Sequence, residues 1–160
     1  MKTVTCQLKV VFRAPLPFVF SWCTDYRTSD PKLEKRDYTR KIIERTPRRV
    51  TFENLEEMTD GWSWQRAIVS LHPPNRWHQD NTGNRRDLKA DYVLSSLPRD
   101  RTQLNLRWKV WPKTAASGKL SRAERERSAA SMWRKFAAAL ERDYRRARRH
   151  RTRRYLNTKH

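Results

Sequence analysis

Apolar and polar residues alternate with a period of two at the start of the chain. One face of this segment carries only apolar side chains, at Val4, Cys6, Leu8, Val10 and Phe12. The alternation predicts a half-buried strand over residues 4–12. Proline then ends the strand, and apolar residues at helical spacing predict a short helix at about 16–23. Ser29-Asp30-Pro31 predicts one more short helical turn, because a capping residue precedes a proline.

The period of two returns after Tyr38 and continues over most of the chain. It predicts six further strands, at 39–46, 49–56, 62–71, 75–82, 89–97 and 102–111. Turn-forming residues rich in Pro, Gly, Asn and Asp separate these segments at short intervals. Such short connections favour consecutive hairpins, so the sequence predicts an antiparallel sheet.

A long amphipathic helix is predicted near the C-terminus. Ser121 and Glu124 have the spacing of a capping box, which predicts that the helix begins at about residue 122. An apolar stripe at helical spacing then follows, at Met132, Trp133, Phe136, Ala137, Leu140 and Tyr144. The stripe ends near residue 148, giving a helix roughly 40 Å long. We therefore predict a domain over residues 1–148 and a frayed basic tail over residues 149–160.

The order of these elements resembles that of one known superfamily. Ala14-Pro15, Val19-Phe20, Trp22 and Asp25 follow the first strand, and together with the closing helix they resemble the START and polyketide-cyclase (SRPBCC, birch-pollen-allergen-like) proteins. The resemblance covers residues 3–148. It implies an α+β helix-grip fold, in which a curved seven-stranded antiparallel sheet wraps around the long C-terminal helix. Two short helices follow the first strand.

The resemblance also implies a cavity between sheet and helix for the binding or transport of an apolar small molecule or lipid. Large and aromatic side chains typically line such sites. The residues predicted to line it are Phe52, Trp64, Arg66, Tyr92, Trp108, Trp133, Phe136 and Leu140. The alternative is that these side chains fill the core completely. Arg66 faces inward only if the predicted register is correct, and would then need a carboxylate partner such as Glu44; a shift by one residue places it in solvent.

The strongly basic charge suggests a second kind of partner. The chain has 37 Lys and Arg against 17 Asp and Glu, a formal net charge of +20. A dense cluster near the C-terminus predicts anion binding, at Arg142, Arg145, Arg146, Arg148 and Arg149. Nucleic acid and an anionic membrane both fit such a cluster, and Tyr144 and Tyr155 could stack on bases. A solvated basic tail without a partner is the alternative.

The sequence contains no motif of known catalytic or metal chemistry. It lacks a phosphate-binding glycine loop, HExxH, GxSxG and zinc-ligand spacing, so we expect neither a cofactor nor a metal. A non-enzyme is favoured; the alternative is a cyclase or dehydratase that uses a titratable cavity residue, either Tyr92 or an Arg66–Glu44 pair. Cys6 and Cys23 form no CxxC pair, and no secretory or membrane-spanning segment is visible. These features predict a cytoplasmic protein with free thiols.

Overall fold

The computed structural model describes residues 2–157. Seven strands and four helices follow one another in the order anticipated from the sequence, with one additional short helix. They are β1 (Val4–Phe12), α1 (Leu16–Cys23), α2 (Asp30–Glu34), β2 (Tyr38–Arg45), β3 (Arg49–Met58), β4 (Gly61–His72), β5 (Arg76–Gly83), β6 (Arg86–Leu97), β7 (Arg101–Pro112), α3 (Ala115–Lys119) and α4 (Arg122–Asn157).

The strands form a single antiparallel sheet in the order β1-β7-β6-β5-β4-β3-β2. Strands β2 to β7 are consecutive hairpins, as their closely spaced turns predicted. Strand β1 pairs with β7 instead, with Val4 opposite Val110 and Phe12 opposite Thr102. The chain must therefore cross from one edge of the sheet to the other between β1 and β2, and α1 and α2 lie in that crossing.

Helix α4 lies across the sheet and packs on β1, α1 and α2. Its apolar stripe buries Trp133 and Leu140 in the same core as the inward residues of β1 and β7. Phe12 meets Trp133 edge to face, with ring centroids 6.2 Å apart. From α1, the Trp22 indole Nε1 donates a hydrogen bond to Asp143 Oδ2 at 2.9 Å. The predicted helix-grip architecture is confirmed.

Two predicted boundaries in the C-terminal part are wrong. The sequence predicts no element between residues 111 and 122, but this segment contains α3, whose cap Thr114 accepts a hydrogen bond from the Ser117 amide. The long helix continues to Asn157 instead of ending near residue 148. Arginine has high helix propensity, so the basic segment extends the helix after the apolar stripe has ended. The last three residues of the predicted tail, 158–160, lie outside the described residues.

Candidate ligand cavity

A cavity of about 960 Å³ lies between the inner face of the sheet and the helices. Phe52, Gln79 and Tyr92 border it from the sheet, and Met132 and Phe136 border it from α4. The exposed side chains of Met58 and Leu120 stand at its rim. The alternative that aromatic rings fill this space is therefore wrong, although many rings surround it.

Aromatic rings in mutual contact build the apolar wall of the cavity. Tyr92 stacks on the buried Trp77 with centroids 4.6 Å apart and an interplanar angle of 9°. On α4, Phe136 contacts Trp133 at 5.4 Å, and Trp22 of α1 at 6.1 Å. Such offset and edge-to-face contacts hold each ring in place, so the wall is preformed rather than assembled around a ligand.

A small hydrogen-bonded network places two phenols on the wall. The hydroxyls of Tyr26 and Tyr92 both donate to Gln79 Oε1, at 3.3 and 3.4 Å. The orientation of the Gln79 amide is held in turn, because its Nε2 donates to Asn81 Oδ1 at 2.8 Å. Burial raises the pKa of Tyr26 and Tyr92 well above the usual value. Both phenols therefore remain protonated hydrogen-bond donors at neutral pH.

A buried ion pair joins α2 to the sheet beside the cavity. The Arg40 side chain is only 6% exposed and forms an ion pair with Asp30. Its Nε also donates to Asn54 Oδ1 at 2.9 Å, and its guanidinium lies 4.1 Å from the centroid of the Phe52 ring. Burial raises the pKa of Asp30, against the attraction of Arg40, which lowers it. The pair adds a buried charged position to a wall that also carries polar side chains such as Gln79 and Asn54.

Five of the eight residues predicted to line the cavity border it: Phe52, Trp64, Tyr92, Trp133 and Phe136. Trp64 borders the cavity at its rim. By the alternation of β4, its side chain lies on the outer face of the sheet, as does that of the exposed Ile68. Trp108 and Leu140 lie in the closed core instead. Trp108 pairs with Cys6 and Ala90 on the neighbouring strands, and Leu140 is fully buried.

The prediction that Arg66 faces the cavity is wrong. The inward residues of β4 are Ala67 and Val69, both fully buried, so the face that carries Arg66 lies in solvent. The Arg66 side chain is 51% exposed and pairs with Glu53 on β3, with Nη2 and Oε1 2.6 Å apart. It makes no pair with Glu44. This removes the Arg66–Glu44 pair as a catalytic candidate.

Tyr26, Arg40, Asn54 and Gln79 are cavity residues that the sequence prediction missed. A signal existed for Arg40, which shares the inward face of β2 with Tyr38 and Ile42 by simple alternation. Tyr26 had no such signal, because it lies between α1 and α2 with a positive φ of 44°.

The predicted anion-binding arginines lie exposed on α4. Arg142, Arg145, Arg146, Arg148 and Arg149 are all exposed, and Arg142 also borders the cavity. Tyr144, proposed as a base-stacking residue, packs on Phe18 of α1 with ring centroids 5.0 Å apart. One face of the Tyr144 ring is therefore covered by α1. The side chain of Tyr155 lies outside the described residues.

Comparison with protein-family models and with curated protein sequences gives no match, whereas solved structures match over nearly the whole chain. One is the Zhui aromatase/cyclase from Streptomyces sp. R1128, with a TM-score of 0.64, 15% identity, and coverage of 91% of this chain and 95% of that chain. A START superfamily protein from Mycobacterium smegmatis has a TM-score of 0.64 at 15% identity, covering 89% and 98%. Ara h 8.0201 has a TM-score of 0.66 at 9% identity, covering 87% and 98%.

No helix within residues 2–157 has the length and apolar character needed to cross a bilayer. At identities of 9–15%, the similarities establish the fold and leave the ligand open. TM-scores of 0.64–0.66 over 87–91% of this chain show that its elements are arranged as in these structures. The chain has the helix-grip fold of the START and polyketide-cyclase (SRPBCC) superfamily.

Proposed function

We propose that the protein binds an apolar small molecule or lipid in the cavity beneath α4. The observation that carries this proposal is the open space of about 960 Å³ walled by preformed aromatic contacts. Ligand sites of this kind are concave, mostly apolar and few in number per protein. Burying roughly 300 Å² of apolar ligand surface would contribute about 7 kcal/mol, which lost ligand freedom partly offsets.

The polar groups on the wall would orient such a ligand. The protonated hydroxyls of Tyr26 and Tyr92 converge on Gln79 at hydrogen-bonding distance. Redirecting one of these hydroxyls to a ligand oxygen would cost little hydrogen-bond energy, because both hydrogen bonds to Gln79 are long. We therefore expect a ligand with at least one carbonyl or hydroxyl oxygen within a largely hydrocarbon or aromatic skeleton.

Placing a charge on the cavity wall is expected to weaken ligand binding. Met132→Glu introduces a carboxylate among apolar atoms, and we expect at least a roughly tenfold loss of affinity, or about 1.4 kcal/mol. The affinities are measured with the uncharged fluorophore N-phenyl-1-naphthylamine as the ligand. Ser131→Glu is the matched control, because it adds the same charge one residue earlier on the exposed face of α4. Equal affinities of the two variants would contradict a site beneath the helix.

The natural ligand can be identified directly. Purified protein is incubated with a lipid extract, separated from unbound material, and the retained compounds are analysed by mass spectrometry. Met132→Glu serves again as the variant whose retained signal should fall. A wild-type protein that retains nothing and does not bind the fluorophore would overturn the proposed function.

An enzyme acting in the same cavity is the second candidate. A cyclase or dehydratase requires a titratable residue in its cavity. Tyr92 is such a residue, and it borders the cavity beside Tyr26. Two neutral donors aimed at one point can stabilise negative charge that develops on a carbonyl oxygen, and one similar structure is named an aromatase/cyclase. Re-analysis of the retained ligand after long incubation decides. Loss of one water indicates a dehydrating enzyme, an isomer of equal mass but different chromatographic retention indicates a cyclase, and an unchanged compound indicates a binding protein.

We further propose that the C-terminal part of α4 docks on an anionic membrane. Its arginines are exposed, and Tyr144 is engaged with Phe18 rather than free to stack on bases, which favours a membrane over nucleic acid. Each basic residue near an anionic surface contributes about 1 kcal/mol. Docking there would bring the cavity close to a source of lipid.

Removing two of these charges is expected to weaken vesicle binding. The variant Arg145→Gln/Arg149→Gln should lose about 2 kcal/mol, or roughly 30-fold, on vesicles that contain phosphatidylserine, measured by co-sedimentation. Arg48→Gln/Arg107→Gln removes the same charge from other exposed positions and should change little. Similar losses in both variants would show that overall charge alone drives binding, and tighter binding to RNA than to vesicles would contradict a membrane target.

A further inference from the structure

An unpaired group of polar atoms lies where α3 and the first turn of α4 meet the wall of the cavity. The Arg125 side chain, on α4, reaches Ser117 of α3 and donates from Nη2 to its carbonyl oxygen. Arg125 is only 6% exposed, yet its Nε and Nη1 have no hydrogen-bond partner, nor does Ser117 Oγ, among the residues that the structure describes. Ser117 borders the cavity, so Arg125 lies directly behind its wall.

Buried cationic donors without a partner are costly. Leaving a buried polar group unsatisfied costs on the order of 1–3 kcal/mol, and more when the group is charged. The position adds to the cost, because Arg125 lies in the first turn of α4, where the helix dipole disfavours a cation. The neighbouring carboxylates do not compensate: Glu124 accepts from the Ser121 amide, and Glu126 from the Gln7 amide and Arg122.

A second arginine on the same wall is also without a partner. Arg86 begins β6 and borders the cavity, and none of the side chains that the structure describes forms an ion pair or hydrogen bond with it. Its side chain is exposed to solvent at the cavity. The surrounding protein atoms still desolvate the guanidinium in part and lower the pKa of Arg86; the charges of Arg125 and then Arg36 lower the pKa further, and Glu56 raises it. Glu56 is itself paired with Arg36.

We propose that Arg86, Ser117 and Arg125 form a subsite for the anionic end of an amphipathic ligand, a carboxylate or a phosphate monoester, whose apolar part lies against the aromatic wall. Arg86 contacts the anion, Ser117 forms the adjoining part of the wall, and Arg125 supplies a second positive charge from behind that wall. Guanidinium groups match the geometry of both anions and form short charge-assisted hydrogen bonds with them. The inference rests on the proposed function and deepens it, because it names the chemistry of one end of the ligand.

The subsite predicts that the cavity distinguishes charged from neutral chains of equal length. Dissociation constants are measured by calorimetry for dodecanoate, dodecyl phosphate and dodecanol. A charged hydrogen bond contributes about 1.5–3 kcal/mol, so wild-type protein should bind one or both anions at least about tenfold more tightly than dodecanol. A preference between the anions tells a carboxylate ligand from a phosphate ligand.

Arg86→Gln is the decisive variant, because its exposed, unpaired side chain can be replaced without breaking a contact. It should lose most of the preference for the anion while its affinity for dodecanol stays within about twofold. Arg107→Gln, an equal charge change on the exposed face of β7, should retain the preference. Arg125→Gln, with its fold checked by circular dichroism, should also lose it.

The outcomes separate this inference from the function on which it rests. If wild-type protein binds dodecanol and both anions equally, and Arg86→Gln changes nothing, the subsite is wrong and the apolar cavity stands. If Arg107→Gln lowers anion affinity as much as Arg86→Gln, overall charge rather than the subsite selects the anion, and the subsite is again wrong. If none of the three probes binds, the proposed function fails and the subsite fails with it.

Discussion

Replacing Arg40 with leucine is expected to lower the free energy of unfolding by about 3–5 kcal/mol. The substitution leaves the Asp30 carboxylate, whose side chain is 20% exposed, without its cationic partner. It also removes the hydrogen bond to Asn54 and the stacking on Phe52. Breaking one side of a buried ion pair is expensive because the remaining charge stays desolvated. Urea unfolding at pH 7, followed by tryptophan fluorescence, measures the change.

Arg66→Leu is the matched control for this variant. Both arginines lie within strands of the same sheet and pair with a carboxylate, but Arg66 is half exposed and Arg40 is buried. Exposed pairs contribute about 0–1 kcal/mol, so Arg66→Leu should have little effect. The double variant Asp30→Asn/Arg40→Leu should recover part of the stability, since it removes both charges. Equal losses from the two single arginine variants would contradict the burial of Arg40.

Arg40 and Arg66 show why the alternation of apolar and polar residues can assign the wrong face of a half-buried strand to the core. Strand β4 carries large apolar residues on its outer face, including Trp62, which is 56% exposed, and Ile68. Its inner face carries the smaller Ala67 and Val69. Hydrophobicity therefore points to the wrong face, and a one-residue error in register reverses every assignment along the strand. Arg66 was misplaced for that reason.

Element order was predictable because its signals are local. The alternation of β7, which runs through Leu104, Leu106 and Val110, and the capping box at Ser121 each require only a few neighbouring residues. The polar features of the cavity depend instead on distant parts of the chain. Asp30 of α2 pairs with Arg40 of β2, and the charge of Arg125 on α4 acts on Arg86 of β6. No period or motif links such pairs, so only the folded structure brings them together.

The free energy of unfolding is expected to fall by at least about 6 kcal/mol between pH 8 and pH 11. Burial raises the pKa of Cys23, Tyr26 and Tyr92. The folded state therefore retains these three protons where the unfolded chain releases them, near pH 8.5 for the cysteine and near pH 10 for the tyrosines. Burial also raises the pKa of Tyr38 and Cys6, which adds to the loss. When the folded state binds more protons than the unfolded state, stability falls as pH rises, by about 1.4 kcal/mol per pH unit for each group. The total free energy of unfolding of a domain of this size is about 5–15 kcal/mol.

Urea unfolding at several alkaline pH values measures this loss, and tyrosinate absorbance in the same samples shows when the phenols ionise. Ionisation of Tyr26 and Tyr92 should coincide with unfolding, because neither phenolate forms while the cavity wall is intact. Tyr92→Phe removes one of the groups and should make the decline above pH 10 shallower by about 1.4 kcal/mol per pH unit. If all tyrosines titrate near pH 10 in fully folded protein, the phenols are not buried, and the polar network proposed to orient the ligand does not exist.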